Sequence, residues 1–172
     1  MITLISGPVD ESPMQLLLAC HARIRKYLKI CWKIGEADTS DLEAIRNSAR
    51  DSAKYFSEAM PLHMEDEHHS LTPRLAGTSD RMDAALARMQ REHLHEENTV
   101  LELIDYCRTL SEKPEHLETI REDLRQCVRR LTVALESHLS GEEREIFPAL
   151  MDLSKDIQAE MVLEMRARRN PD

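Results

Sequence analysis

His63-Met64-Glu65-Asp66-Glu67, followed by Leu71 and Pro73, returns later in the chain as His138-Leu139-Ser140-Gly141-Glu142, followed by Ile146 and Pro148. In both copies a histidine precedes a glutamate by four positions, an aliphatic residue by eight and a proline by ten; Leu75 and Leu150 extend the match to twelve. On a helix, positions i and i+4 share a face about 6 Å apart along the axis, so the imidazole and carboxylate of each copy can grip one metal centre. Two such helices, joined by two more that each carry one inward histidine, describe a dinuclear metal site inside a four-helix bundle.

The rest of the chain supplies those helices. Ser12-Pro13 reads as an N-cap with proline at the first helical position. From there Leu17, His21, Ile24, Leu28 and Cys31 keep a three-four spacing to about Trp32, ahead of a loop around Gly35. A second helix opens near Ser40 or Asp41. Its stripe runs through Leu42, Ile45, Ala49, Phe56, Met60, His63, Glu67 and Leu71, with a kink expected at Pro61 and an end at Pro73. After Gly77-Thr78-Ser79-Asp80, the residues Met82, Leu86, Met89, His93, Glu97, Val100 and Ile104 mark a third helix ending near Ser111. Pro114 restarts the chain, and Leu117, Ile120, Leu124, Cys127, Leu131, Leu135, His138, Glu142 and Ile146 form the fourth stripe, stopped by Pro148. Ser154 caps a shorter fifth helix through about Arg169. Short connections make neighbours antiparallel. The expected fold is therefore all-α: an up-down-up-down four-helix bundle over residues 12–150, with 151–172 as a C-terminal helix packed on the same domain.

Composition agrees. The 172 residues allow one domain with a full core, and four glycines among many Leu, Ala, Glu, Arg and Met favour helix. A net charge of −9 argues against nucleic acid as a partner; the cluster Arg166, Arg168 and Arg169 is too short to reverse it. No apolar run approaches the ~20 residues that span a bilayer. Met1 to Val9 is apolar but lacks a basic start, so no signal peptide is expected. Cys20, Cys31, Cys107 and Cys127 are scattered without a C-x-x-C pair, as reduced core thiols of a cytoplasmic protein would be.

The metal reading rests on where the polar residues fall. His21, His63, Glu67, His93, His138 and Glu142 each take a slot where the apolar period demands a core residue. Ionised carboxylates in a core are prohibitively costly without a partner. Two carboxylates and four imidazoles facing one interior share one best partner, a pair of divalent cations. Ions ~3.5–4 Å apart suit a carboxylate bridge, and mixed imidazole and carboxylate donors suit iron or manganese, with zinc behind them. His68 and His69 fall outside the stripe, and His116 only begins the fourth helix. His95 is the substitute for His93 should the third helix be phased differently. The ferritin-like code Glu-x-x-His occurs only at Glu65/His68 and Glu92/His95, off the apolar stripes.

Taken with Leu62-His63, Glu92-His93, Glu142-Glu143 and Phe147-Pro148, this pattern resembles the hemerythrin-like family of HHE cation-binding domains, bacterial non-haem di-iron type. The resemblance covers about residues 12 to 150, and Glu164-Met-Arg-Ala-Arg-Arg169 is similar to the tail of bacterial members. It implies two non-haem irons bridged by carboxylates and an oxo or hydroxo group. His21, His63, His93 and His138 would be terminal ligands, and Glu67 and Glu142 the bridges. The chain departs from the oxygen carriers in having Glu97, an additional candidate ligand, where they have a second histidine. Their fourth-helix carboxylate also lies five residues beyond its histidine, where Glu143 stands here. The implied function is to bind or sense dioxygen, nitric oxide or related small ligands, or to handle iron. Two other classes remain open: a di-iron enzyme activating dioxygen or reducing nitric oxide, and an interaction module with a structural or lost metal. Homo-oligomer formation is left open. Gly141, between the two fourth-helix ligands, either opens space for a small ligand or serves packing. Tyr27, Tyr55 and Tyr106 read as core-edge aromatics.

Overall fold

The computed structural model describes residues 11–170 and is all-helical. Helix α1 (Pro13–Glu36) opens with a reciprocal cap: the Ser12 hydroxyl accepts from the Gln15 amide, and the Gln15 side chain accepts from the Ser12 amide. It runs past Trp32 and through Gly35, beyond the expected end. Arg121 and Arg125 explain this, because both donate to the Gly35 carbonyl and Arg121 also to that of Ala37, satisfying the last turn. A Cβ at Gly35 would lie 2.9 Å from Arg125 Cγ, so the small residue admits the arginine.

The second stripe is one continuous but uneven helix. It comprises α2 (Leu42–Lys54), capped by Asp41, then a π turn at Tyr55–Ala59, α3 (Met60–Glu65), a second π turn at Asp66–Leu71, and α4 (Thr72–Leu75). Each π turn stands just before a proline-bearing segment, holding Pro61 and Pro73 respectively. Proline cannot donate and crowds the carbonyl one turn back; a widened turn re-routes those bonds, as where the Met60 amide reaches the Tyr55 carbonyl. Pro73 therefore does not stop the helix, which continues to Leu75. Gly77, at φ 77°, turns the chain.

Helix α5 (Asp80–Glu112) is capped by Ser79. A 3₁₀ turn at Pro114–His116 leads into α6 (Leu117–Glu145). Near Pro148 the chain does break, at Ile146, before the single turn α7 (Phe147–Leu150). Ser154 caps α8 (Lys155–Arg169). Helix α5 packs on α2 and α6, and α1 on α6 and α2, closing a helical bundle; α8 lies against α1 and the second π turn.

The apolar interior falls into two clusters. One holds Ile24, Leu28, Phe56, Met60, Leu103 and Leu135; the other holds Leu17, Leu71, Met89, Ile146, Leu150 and Met165. Along every long helix the stripe passes from one cluster to the other at the candidate ligands: at His21, across His63 and Glu67, at His93, and across His138 and Glu142. The order of the clusters reverses from each of these helices to the next. A charged layer thus divides the core. Among the described residues no helix is long and apolar enough to cross a membrane, and the four cysteines are free and buried. The Met1–Val9 stretch lies outside the described residues.

Candidate metal centre

His21 comes from α1, His63 from α3, Glu67 from the second π turn, His93 from α5, and His138 and Glu142 from α6. Their donor atoms form two groups, His21/His63/Glu67/Glu142 and Glu67/His93/His138/Glu142, within each of which the atoms lie no more than 4.8 Å apart. The two carboxylates belong to both. Glu67 turns Oε1 toward His63 Nε2 (3.2 Å) and His21 Nε2 (4.0 Å), and Oε2 toward His93 Nε2 (3.2 Å). Glu142 turns Oε2 toward His21 Nε2 (3.2 Å) and Oε1 toward His138 Nε2 (3.1 Å).

These approaches are close but are not hydrogen bonds. Both oxygens of Glu67 and of Glu142, both nitrogens of His63 and Nε2 of His21 are buried without a hydrogen-bond partner among the described residues. Buried polar atoms left unpaired are costly. In the second group His93 Nε2 and His138 Nε2 lie within hydrogen-bond distance of each other, 3.1 Å. The other donor atoms converge without bonding to one another, which suits a shared cation, and on that observation the residues fit one in each group.

The outward nitrogens are held. His21 Nδ1 meets Glu143 Oε1 at 2.8 Å, and Arg25 donates to the same oxygen at 2.7 Å. His138 Nδ1 meets Glu92 Oε2 at 2.9 Å. A carboxylate on Nδ1 keeps the proton there and leaves Nε2 free to face the centre. Glu143 and Glu92 were not singled out for this task by the stripes, because both stand beside stripe positions and reach the rings from outside.

Without a cation, protons take its place. Burial disfavours a charged His21, but Glu142, Glu67 and Glu143 outweigh it and push the ring up to about 9. Burial likewise opposes charge on His138, and Glu142 and Glu92 push it up to about 10. Glu67, despite complete burial, is held well below the usual carboxylate range by His63, His21 and His93. Burial raises the Cys20 thiol, yet His63, Arg23 and Arg169 bring it down to about 7.

The remaining sequence-stripe residues divide clearly. Glu97 is exposed and stands outside both groups; the inward carboxylate of that turn is Glu96, at 6% exposure. His95, His68, His69 and His116 are exposed, and of the two α5 histidines it is His93 that stands in a donor group. Glu65 is exposed and Glu92 holds His138, which leaves neither Glu-x-x-His pair facing the centre. A Cβ on Gly141 would meet only Arg88 Nη2, at 3.8 Å, so its space does not open on the cluster. Tyr27 stacks on Tyr55, and Tyr106 donates to Glu102.

The clamp beneath the centre was not anticipated. Asp66, next to Glu67 and 1% exposed, receives Arg168 at 2.9 Å and Arg169 at 2.5 Å from α8. Ser70 donates to Glu164, which also takes Arg74. The basic tail of α8 thus grips the π turn that carries Glu67.

A groove of about 420 Å³ reaches the centre between α3 and α5, with Phe56, Met60, Met64, His93 and Glu96 among its walls. His93 is 13% exposed, against 0–4% for the side chains of the other five.

The family model of the hemerythrin HHE cation binding domain matches residues 12–150. A Haemophilus influenzae (strain ATCC 51907 / DSM 11121 / KW20 / Rd) protein described as uncharacterized is 24% identical over 164 residues, covering 92% of this chain and 91% of its own. No solved structure matches the chain significantly.

Proposed function

Because the chain belongs to the hemerythrin HHE cation-binding family, we propose that it holds two non-haem iron ions and binds or senses a small diatomic ligand there, dioxygen or nitric oxide, or handles iron. The observation that carries this reading is the division of Glu67 and Glu142, each of which gives one oxygen to each donor group. In it His21 and His63 would hold one ion and His93 and His138 the other, with Glu67 and Glu142 shared between the two groups. When bound, the ions supply Lewis acidity and, as iron, a change of oxidation state. Glu143 and Glu92 keep the protons of His21 and His138 on the outward nitrogens, so that both rings present Nε2. The α5 side contributes one histidine only. That side is where the groove arrives, and it is the side we assign to the exogenous ligand.

The reversal of the two apolar clusters from helix to helix supports an up-down-up-down four-helix bundle over residues 12–150, with the α8 segment part of the same domain. A cytoplasmic setting is part of the reading, supported by four unpaired buried thiols. Elemental analysis after anaerobic iron loading tests the proposal. Two irons per chain are expected; a stable stoichiometry of one, or preference for a single tetrahedral zinc, would overturn the dinuclear assignment. A second reading, a di-iron enzyme activating dioxygen or reducing nitric oxide, draws on the substrate-sized groove beside His93. Turnover by the iron-loaded protein with a reductant separates it from sensing.

A further inference from the structure

The groove beside His93 contains one buried charge that the metal reading leaves unused. Glu96 is 6% exposed, lines the groove, and has no hydrogen-bond or ion-pair partner among the described residues. Its carboxyl oxygens are not among the fully enclosed unpaired atoms of the core, so they keep access to solvent through the groove. A carboxyl group that opens only on a groove large enough for a small molecule offers an acceptor to a hydrogen-bond donor bound there. Ionised or protonated, a carboxyl group accepts such a bond through an oxygen.

The rest of the groove narrows the ligand. Its apolar walls come from Phe56, Met60, Pro61 and Met64 of the second stripe and from Val100 and its aliphatic neighbours on α5. Phenyl and thioether groups together favour an aromatic ring, through edge contacts and sulfur–ring contacts. The volume of about 420 Å³ admits a single ring with short substituents and lies within the range of small-molecule sites. Charge excludes both ionic classes. Glu96, with Glu97 at the same end, repels an anion, and the cations assigned to His93 and His138 repel an ammonium group. Arg108 also lines the groove but stands fifteen residues from His93 along α5, about 22 Å, too far to meet the head of the same ligand. The first π turn, which places Phe56 and Ser57 in the wall, is a widening of the kind that often accompanies binding sites.

We infer that this groove is a binding site for a small neutral aromatic alcohol of the phenol class, its ring against Phe56, Met60 and Met64 and its hydroxyl donating to Glu96 beside His93. The inference rests on the metal reading only where it excludes cationic ligands. The site adds to the diatomic-ligand position a second ligand immediately next to it, held entirely by side chains of this protein.

The experiment uses the metal-free full chain with methionine methyl groups labelled for NMR, and 4-methylphenol as probe. Saturable shifts confined to the Met60 and Met64 methyls are expected. The ether 4-methylanisole, which has the same ring but no donor, should bind about tenfold more weakly, the worth of one hydrogen bond to a buried carboxyl group. Glu96→Leu should erase that preference while Glu96→Gln, which keeps an acceptor, retains most of it; Val100→Trp should block both probes. Equal binding of phenol and ether by the unaltered protein would overturn the inference whatever the variants do, as would shifts that leave Met60 and Met64 untouched. Metal stoichiometry is measured on separate samples. Failure of phenol binding with two irons present therefore refutes the site alone, and phenol binding without a dinuclear centre refutes the metal reading alone.

Discussion

His63 and His69 lie on the same uneven helix, yet only His63 is buried and brings a nitrogen to Glu67. His63→Ala or His138→Ala is expected to abolish stoichiometric metal, and His69→Ala to leave it intact. Metal analysis of the three purified variants checks this, and equal losses would mean that burial is irrelevant to binding. The convergence of the six principal candidates was legible because each histidine or glutamate interrupts an apolar period, a signal that survives small errors of phase. Glu97 shows where the signal fails. From His93, the positions i+3 and i+4 both point roughly inward, and the spacing alone does not choose between Glu96 and Glu97; the packing of α5 on its neighbours turns Glu96 in. Gly141 offers a second residue-level test. It sits inside α6, where a Cβ would meet nothing closer than 3.8 Å. Gly141→Ala should therefore stabilise the protein by about 1 kcal/mol, read from urea unfolding, without loss of metal. A loss would show that the backbone there must move.

At the scale of elements, the two π turns and the α8 clamp decide how the centre is held. The prolines that produce the turns were visible, but a kink and a stop were expected where the helix instead widens and continues. Sequence shows that Pro61 and Pro73 must disturb the ladder; it does not show which of several repairs the surroundings select. The clamp was less legible still. Arg168 and Arg169 read only as a basic cluster at the end of the chain, because their partner Asp66 lies far away in sequence and its burial depends on α8 docking over it. Removing both arginines would leave Asp66 buried and uncompensated. Arg168→Ala with Arg169→Ala is expected to cost about 3 kcal/mol, the lower end for a broken buried pair, and to weaken metal retention through the displaced Glu67 turn. Urea unfolding and metal dissociation measured on the same sample check both. Lost stability with undiminished retention would confine the clamp to a packing role.

For the whole molecule, the charged layer between two apolar clusters makes stability and metal affinity respond oppositely to pH. In the metal-free protein the raised histidines stabilise the fold by binding protons more tightly than the unfolded chain does. His21 and His138, with ordinary values of 6.5 and folded values of about 9 and about 10, give this contribution in full below pH 6.5. It is lost as pH rises through 9 and 10. Glu67 acts in the other direction: its carboxyl, held well below the ordinary 4.5, contributes above that pH and loses its contribution as the solution becomes more acidic. Metal-free protein should therefore be most stable between about pH 4.5 and 6.5 and should melt progressively lower from there to pH 10. A cation must displace the same histidine protons, so its apparent affinity should rise across that alkaline window and its binding should release protons. Thermal melts at pH 6, 8 and 10 with and without ferrous iron under anaerobic conditions decide the matter: the two curves should diverge as pH increases. A metal-free melting temperature that stays level or climbs over this range would mean that the layer is not held together by protons, and that Glu67 and Glu142 face a solvated rather than a sealed interior.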